Sequence, residues 1–261
     1  MITFTGTDNT DTYGICLEAG YDADNITAVA DSNTVTGFGT GIEFWTCQSD
    51  CGTGLFTSGD AHFNYISGNT LGMSSNVDYI TVDATSNWWG HSSGPYHPTL
   101  NPDGLGDEVS DRILFDPFIE PGISVSPDYD VTNCSVPLTF TFLYDGTDVP
   151  QEVRGYEVKF SIDPAVVTIQ DTGTDIVEGS FLDSFGDGSF YATNDGGGAY
   201  TANCAILGGD TGATGTGDLF SIKLTPVAEG TSAITITSVT LRDLDNNDMS
   251  ASIEGASVQV D

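Results

Sequence analysis

The sequence predicts an all-β protein in which a repeat-built segment is followed by a β-sandwich. Short runs rich in Val, Ile, Thr and aromatic residues recur along the chain and are separated by Gly, Asn and Asp, which favours strands joined by turns. The first part of the chain also repeats short segments, and the second part has the strand spacing of a sandwich. At 261 residues the chain is long enough for two domains of ordinary size.

The chain is strongly acidic, with 38 Asp and Glu against 5 Lys and Arg and a formal net charge of −33. Its 38% hydrophobic and 10% aromatic residues are enough to form a core, so we expect a folded protein. Scattered cations cannot neutralise phosphate groups, which excludes nucleic acid and anionic membrane surfaces as partners. Two explanations of the acidity remain, solubility in a salty setting and calcium binding, and both predict an extracellular or cell-surface location.

No stretch of the sequence is long and apolar enough to span a bilayer, so membrane insertion is not expected. Met1 is followed by residues 2–5 (ITFT) and not by the charged and then apolar run of an export signal. We expect such a signal to have been removed or to lie upstream.

The repeats lie before residue 90. Residues 13–17 (YGICL) return as 40–44 (TGIEF), an offset of 27 (40 − 13), and residues 32–35 (SNTV) return as 68–71 (GNTL), an offset of 36 (68 − 32). Unequal offsets are typical of solenoid rungs whose loops vary in length, because each rung only has to match its neighbours. Chance similarity among strands rich in Gly and Thr is the alternative.

The segments that follow have a composition suited to closing the end of a solenoid. They are residues 85–90 (TSNWWG), 92–98 (SSGPYHP), 101–107 (NPDGLGD) and 115–118 (FDPF). This pattern resembles the closing segment of bacterial pectate-lyase-like β-helix proteins. The resemblance implies that residues 1–120 form a short right-handed parallel β-helix whose last rung is covered by Trp88 and Trp89. These two side chains could instead stack on a polysaccharide.

Residues 120–122 (EPG) break the pattern and predict a linker before a second domain at 123–261. The strands predicted in this domain are 136–144, 153–162, 189–193, 199–207, 219–224, 234–241 and 256–260. Their order and spacing predict a β-sandwich.

Four segments of the second domain resemble cohesins: residues 155–164 (GYEVKFSIDP), 179–182 (GSFL), 215–222 (GTGDLFSI) and 239–243 (VTLRD). The resemblance implies a cohesin-like jelly-roll β-sandwich of nine strands, of the kind whose sheet face binds dockerin modules.

The sequence does not predict an enzyme. Lyases that resemble pectate lyase need an Arg or Lys as base beside calcium, and the first basic residue of this chain is Arg112, beyond the repeats. His62, His91 and His97 lack an accompanying nucleophile motif, so we expect structural roles for them.

Calcium is the cofactor that the sequence favours. Alternating oxygen ligands with a distant carboxylate, the spacing of an EF-hand loop, occur at Asp243, Asp245, Asn247 and Glu254. The glycine usual at the sixth position is replaced by Asp248, so the segment could equally be a hairpin turn. Asp183 and Asp187 form a weaker candidate of the same kind.

The five cysteines lack the spacing of a metal site, and disulfides are the better prediction. Cys47–Cys51 would close a short loop and Cys134–Cys204 a long one, which leaves Cys16 unpaired. The alternative is that all five are buried thiols.

Together these features predict a non-catalytic, extracellular structural or adhesive protein that assembles with copies of itself or another secreted protein into a surface layer, fibre or matrix. The alternative is a cohesin module that binds a dockerin-bearing partner in a polysaccharide-degrading complex.

Overall fold

The computed structural model describes residues 1–3, 11–19, 26–46, 56–183, 188–208 and 210–261. Over these residues the chain is all-β apart from two short helices, α1 (Thr172–Asp175) and α2 (Ser180–Asp183). Neither is long and apolar enough to cross a membrane. The chain divides into two compact units, Met1–Glu120 and Pro121–Asp261.

The first unit consists of short strands in three parallel sheets. The strands are β1 (Ile2–Thr3), β2 (Tyr13–Ala19), β3 (Ile26–Val29), β4 (Thr34–Thr36), β5 (Thr40–Thr46), β6 (Phe56–Asp60), β7 (Tyr65–Ser67), β8 (Leu71–Ser75), β9 (Val82–Asp83), β10 (Glu108–Val109) and β11 (Ile113–Leu114). The sheets have the orders β1-β4-β7, β2-β5-β8-β10 and β3-β6-β9-β11. Up to β9 the strands enter the three sheets in rotation, so the chain passes through each sheet before it returns to the first.

The two predicted repeats have different outcomes. Strand β2 pairs with β5 so that Tyr13 lies opposite Thr40 and Leu17 opposite Phe44, which places the first pair of repeats side by side. The second pairing was wrong, because Val35 lies opposite Ile66 and not opposite Leu71. By sequence Asn33 can be matched with either Asn64 or Asn69. In the structure it lies beside Asn64, whose side-chain oxygen accepts the backbone N–H of Asn33 at 2.8 Å.

Side chains point alternately inward and outward along the strands of this unit, and the inward ones form its core. The side chains of Val35, Ile42, Phe44, Ile66 and Met73 are all 0% exposed and point inward. At one corner Gly14, Gly41 and Gly72 stack across β2, β5 and β8. A Cβ on Gly41 would come within 2.6 Å of the Gly72 carbonyl oxygen, so the close approach of the strands requires glycine there.

Buried asparagines join successive turns of the chain. Asn64 and Asn87 are fully buried. The side-chain oxygen of Asn87 accepts the backbone N–H of Asn64 at 2.8 Å, and its amide donates to the carbonyls of Ala61 and Ala84, both at 2.6 Å. The row satisfies backbone groups that the turns between strands would otherwise leave buried without partners.

The far end of this unit is closed by residues 85–118. Trp89 is 0% exposed and Trp88 is 3% exposed, so neither ring is available to stack on a polysaccharide in solution. Asp107 accepts the backbone N–H groups of Gly68 and Asn69, both at 2.9 Å. Burial raises the pKa of the Asp107 carboxyl, and these hydrogen bonds oppose that shift. The closing segment is therefore fastened to the last strands by buried polar contacts.

The second unit is a sandwich of two sheets. Its strands are β12 (Gly122–Ser126), β13 (Tyr129–Thr132), β14 (Leu138–Gly146), β15 (Gly155–Ser161), β16 (Val167–Thr168), β17 (Ile176–Glu178), β18 (Gly188–Gly196), β19 (Ala199–Ile206), β20 (Gly215–Pro226), β21 (Gly230–Arg242), β22 (Asp248–Met249), β23 (Ser252–Glu254) and β24 (Ala256–Val260). The six-stranded sheet has the order β16-β20-β14-β12-β23, with β17 also on β20. The seven-stranded sheet has the order β13-β24-β21-β15-β19-β18, with β22 on β21.

Aromatic side chains from both sheets meet at the centre of the sandwich. Phe142 stacks on Phe220 with ring centroids 4.2 Å apart, and Phe160 lies 4.9 Å from Phe142. All three rings are 0–1% exposed. The core fixes which face of β15 points outward, because Tyr156, Val158 and Phe160 are buried and the residues between them therefore face solvent.

Candidate interaction surface

The described residues predicted to bind calcium lie in different elements of the second unit. Asp243 lies in the hairpin turn between β21 and β22, where its Oδ1 accepts the backbone N–H of Asp245 at 2.9 Å and of Asn247 at 2.8 Å. These hydrogen bonds lower the pKa of Asp243 although burial acts the other way. The segment has the geometry of the hairpin turn that was the alternative prediction, with the carboxylate bonded to its own backbone.

The other predicted ligands lie elsewhere. Glu254 is on β23, in the six-stranded sheet, while Asp243 follows β21 in the seven-stranded sheet. Asp183 ends α2, and Asp187 lies outside the described residues. Within the described ranges no three His, Cys, Asp or Glu side chains are grouped closely enough to hold a metal ion. Calcium binding therefore stays a prediction.

The predicted Cys134–Cys204 disulfide is wrong, since both residues are free thiols. Cys204 is on β19, whereas Cys134 follows β13, and β24, β21 and β15 lie between those two strands. Four strand spacings amount to about 19 Å, while a disulfide needs Cα atoms within about 7 Å. The sequence could not reveal this separation because it depends on strand order. Cys47 and Cys51 lie outside the described residues.

The surroundings of Cys204 hold its thiol protonated. Its Sγ donates to the Glu178 carboxylate at 3.2 Å, and burial together with Glu178 raises the pKa of the thiol to about 12. We therefore predict that iodoacetamide at pH about 8 labels Cys134 in the folded protein and leaves Cys204 unlabelled until the chain is unfolded. Peptide mass mapping measures both. A Cys134–Cys204 cross-linked peptide in a non-reducing digest would contradict this assignment.

The outer side of the seven-stranded sheet forms a regular surface centred on β15. Four outward residues of β15 align with residues of β21, β19 and β18 in four rows. The rows are Arg242-Gly155-Ala205-Ser189, Thr240-Glu157-Asn203-Tyr191, Ser238-Lys159-Thr201-Thr193 and Thr235-Ser161-Ala199-Gly196. We call these sixteen positions the β15 face. Most of its side chains are small and polar or absent, so the surface is shallow.

The β15 face carries little net charge although the whole chain carries −33. Its ionised residues are Arg242, Lys159 and Glu157, and Lys159 pairs with Glu157 at 3.2 Å. Asp195, at the bulge of β18, reaches the same surface and accepts from the hydroxyl of Thr201 at 2.7 Å. Asp248 lies opposite Arg242 in the strand register and pairs with it at 2.8 Å. With Asp195 and Asp248 counted, two cations meet three anions, an excess of one negative charge. A surface with so small an excess is the part of an acidic protein that another acidic molecule can approach with the least repulsion.

A groove of about 450 Å³ crosses this face. Its floor is made by Gly155 and Ala205, which carry almost no side chain, and Asn203, Leu207 and Arg242 stand around it. Leu207 is 66% exposed. An apolar side chain beside small residues and hydrogen-bonding groups is the composition expected of a protein-docking surface rather than of an enclosed catalytic pocket.

The groove is supported from within the sandwich. Tyr156, under the groove, donates its hydroxyl to the carbonyl of Leu219 at 2.6 Å, which ties β15 to the opposite sheet. Arg154 donates from Nη2 to the carbonyl of Gly208 at 2.8 Å, and Arg242 pairs with Asp248 at 2.8 Å. These contacts hold the strands under the groove and the residues at its ends in place. Few backbone or side-chain conformations therefore need to be fixed when a partner binds.

Sequence reasoning named none of these residues as a site. The sequence indicated only that Glu157, Lys159 and Ser161 point to the same side of a strand, because they occupy every second position of a predicted strand. It did not show the pairing register between strands, which places them beside Asn203, Thr240 and their neighbours.

No protein-family model matches the sequence, and none of the curated proteins is significantly similar to it. Solved structures that are similar to it include cohesin modules, which cover about half of this chain. A non-cellulosomal cohesin from the archaeon Archaeoglobus fulgidus is 15% identical, covering 55% of this chain and 92% of that chain with a TM-score of 0.44.

Two further cohesins are similar to the same degree. A type II cohesin from the cellulosome of Acetivibrio cellulolyticus is 17% identical, covering 53% of this chain and 94% of that chain with a TM-score of 0.45. A type I cohesin–dockerin complex from Clostridium thermocellum is 13% identical, covering 54% of this chain and 99% of that chain with a TM-score of 0.44. Values this low do not identify a partner for this chain.

Proposed function

We propose that the chain is a non-catalytic, extracellular interaction protein whose second unit docks another protein on the β15 face. The observation that carries the proposal is the grooved surface of that face, which has an excess of only one negative charge in a chain of net charge −33. Among the described residues, the outer side of the other sheet is more acidic, since Asp145, Asp218 and Glu254 lie there with one cation, Lys223, which already pairs with Asp175 at 3.5 Å.

A dockerin-bearing protein is the first partner to test, because the sequence segments of the second unit resemble cohesins. In this proposal the sandwich is the docking module and a polysaccharide-degrading complex is its setting. A second copy of the chain is the other occupant of the same surface, which corresponds to self-assembly into a layer, fibre or matrix.

The proposal is tested by capture on an immobilised chain. Asn203→Arg places a long side chain in the groove, and Thr141→Arg places the same side chain on the outer side of the six-stranded sheet. We expect a panel of dockerin modules and the native secreted proteins to yield a partner that binds the unaltered chain and Thr141→Arg, and does not bind Asn203→Arg. Equal capture by both variants would place docking elsewhere and overturn the proposal.

For the first unit we propose the short right-handed parallel β-helix implied by the closing segment, acting as a spacer that carries the docking module. The support is the rotation of β1 to β9 through three parallel sheets and the stacked Asn and Gly residues at the corners. A parallel solenoid needs only contacts between neighbouring rungs, which suits an extended spacer.

Calcium is proposed as a stabilising ion and not as a catalytic one. If one site binds with a dissociation constant near 0.1 mM, millimolar calcium adds about 1.4 kcal/mol to the free energy of unfolding. We therefore predict that a chelator at constant ionic strength lowers the melting temperature by a few degrees and that added calcium restores it. Identical melting curves with and without chelator would remove calcium from the account.

A further inference from the structure

We propose that a second copy of this chain docks face to face on the β15 face, and that salt strengthens this association. The inference rests on the proposed function, because it names the occupant of the same docking surface. It is carried by the charges on β15, by the size of the face and by the net charge of the chain.

The charged pair at the centre of β15, Glu157 and Lys159, is complementary to the same pair on a second copy related by two-fold symmetry. Glu157 and Lys159 lie at successive outward positions of β15, with Lys159 Nζ 3.2 Å from Glu157 Oε1, and their side chains are 42% and 49% exposed. A two-fold axis that runs across the strands at Val158 sets Glu157 of each copy opposite Lys159 of the other. In an isologous dimer of this kind each Glu157 faces a Lys159 of the other copy, and these four side chains together carry no net charge.

The shape of the face permits close contact. Its rows consist largely of Ser, Thr, Ala and Gly, with Tyr191 at one edge, 63% exposed. Four strands of seven residues cover about 450 Å² on each copy, or about 900 Å² in total, which is an area typical of weak and transient associations. We therefore expect a reversible dimer and not a permanent one.

The net charge of the chain determines whether salt strengthens or weakens the dimer. Two copies of −33 repel each other over most of their surfaces. The range of that repulsion is about 30 Å in 0.01 M salt and about 3 Å in 1 M salt. Salt therefore removes repulsion between the copies. It takes less from the Glu157–Lys159 pairs, because charge pairs covered by an interface are screened much less than exposed charges.

The experiment is sedimentation equilibrium of the full chain in about 20 mM, 200 mM and 1 M NaCl. We expect the dimer dissociation constant to fall by about tenfold or more between the first and last conditions. At about 200 mM salt, Lys159→Glu is expected to weaken the dimer by about tenfold, because it sets two carboxylates against two others. The double exchange Glu157→Lys with Lys159→Glu restores the pairing and is expected to restore the dimer.

Arg112→Glu is the matched control, since it changes the net charge by the same amount on the first unit. It should leave the dimer constant close to that of the unaltered chain, and circular dichroism verifies that each variant is folded. A dimer that weakens with salt, one that responds equally to Lys159→Glu and Arg112→Glu, or a monomer in every condition would each overturn the inference. Loss of partner capture by Asn203→Arg, measured separately, would still support the proposed function.

Discussion

Replacing Phe220 with alanine is expected to lower the free energy of unfolding of the second unit by about 3–5 kcal/mol. Phe220 is 0% exposed and its ring lies 4.2 Å from Phe142, 5.8 Å from Phe160, 6.3 Å from Tyr156 and 6.4 Å from Phe190. Removal of the ring leaves a cavity between two sheets that cannot collapse without losing strand pairing. Hydrogen exchange of the amides of β14 and β20 measures the loss.

Tyr191→Ala is the control for this substitution, since it removes a ring that is 63% exposed on the outer side of the same sandwich. We expect it to change stability by less than about 0.5 kcal/mol. A loss below about 1 kcal/mol for Phe220→Ala would mean that the aromatic cluster is not the centre of the core.

Replacing Asn87 with alanine is expected to lower the free energy of unfolding of the first unit by about 3 kcal/mol or more. The substitution removes five hydrogen bonds: two accepted from Asn64 and three donated to the carbonyls of Ala61, Ala84 and, at 3.5 Å, Thr85. Because Asn87 is fully buried, water cannot replace them. Trp45, Trp88 and Trp89 are the only tryptophans of the chain, so tryptophan fluorescence during urea unfolding reports on this unit alone.

Asn33→Ala is the matched control in the same row of asparagines. The Asn33 side chain is only partly buried and donates to the Asp31 carbonyl and to Asn64 Oδ1, both at 3.0 Å. We expect a loss of about 1 kcal/mol. Equal losses for Asn33→Ala and Asn87→Ala would contradict the view that burial makes the inner asparagine indispensable.

The strands predicted from alternation are present in the second unit. The segments 153–162, 199–207 and 256–260 correspond to β15, β19 and β24, each within two residues at either end. Six strands of the second unit were missed: β12, β13, β16, β17, β22 and β23. Four of them, β16, β17, β22 and β23, have only two or three residues, which carry too little alternation to be noticed. Their pairing is decided by neighbours far along the chain.

Features that depend on strand order were beyond the sequence. The Cys134–Cys204 prediction failed because three strands separate the two residues, and the set that ends at Glu254 was divided between two sheets. The β15 face was missed for the same reason, since its rows are assembled from four strands by register. Local pattern identifies which residues of a strand point outward, and only pairing determines which outward residues become neighbours.

The most direct test of the central claim, docking on the β15 face, is hydroxyl-radical footprinting of the full chain with and without its captured partner. Tyr191 is 63% exposed on this face and Leu207 is 66% exposed beside its groove, whereas Val177 and Leu100 are 53% and 68% exposed elsewhere. The account predicts that the partner protects Tyr191 and Leu207 from oxidation and leaves Val177 and Leu100 unchanged. Protection of Val177 or Leu100 with Tyr191 and Leu207 still oxidised would contradict it.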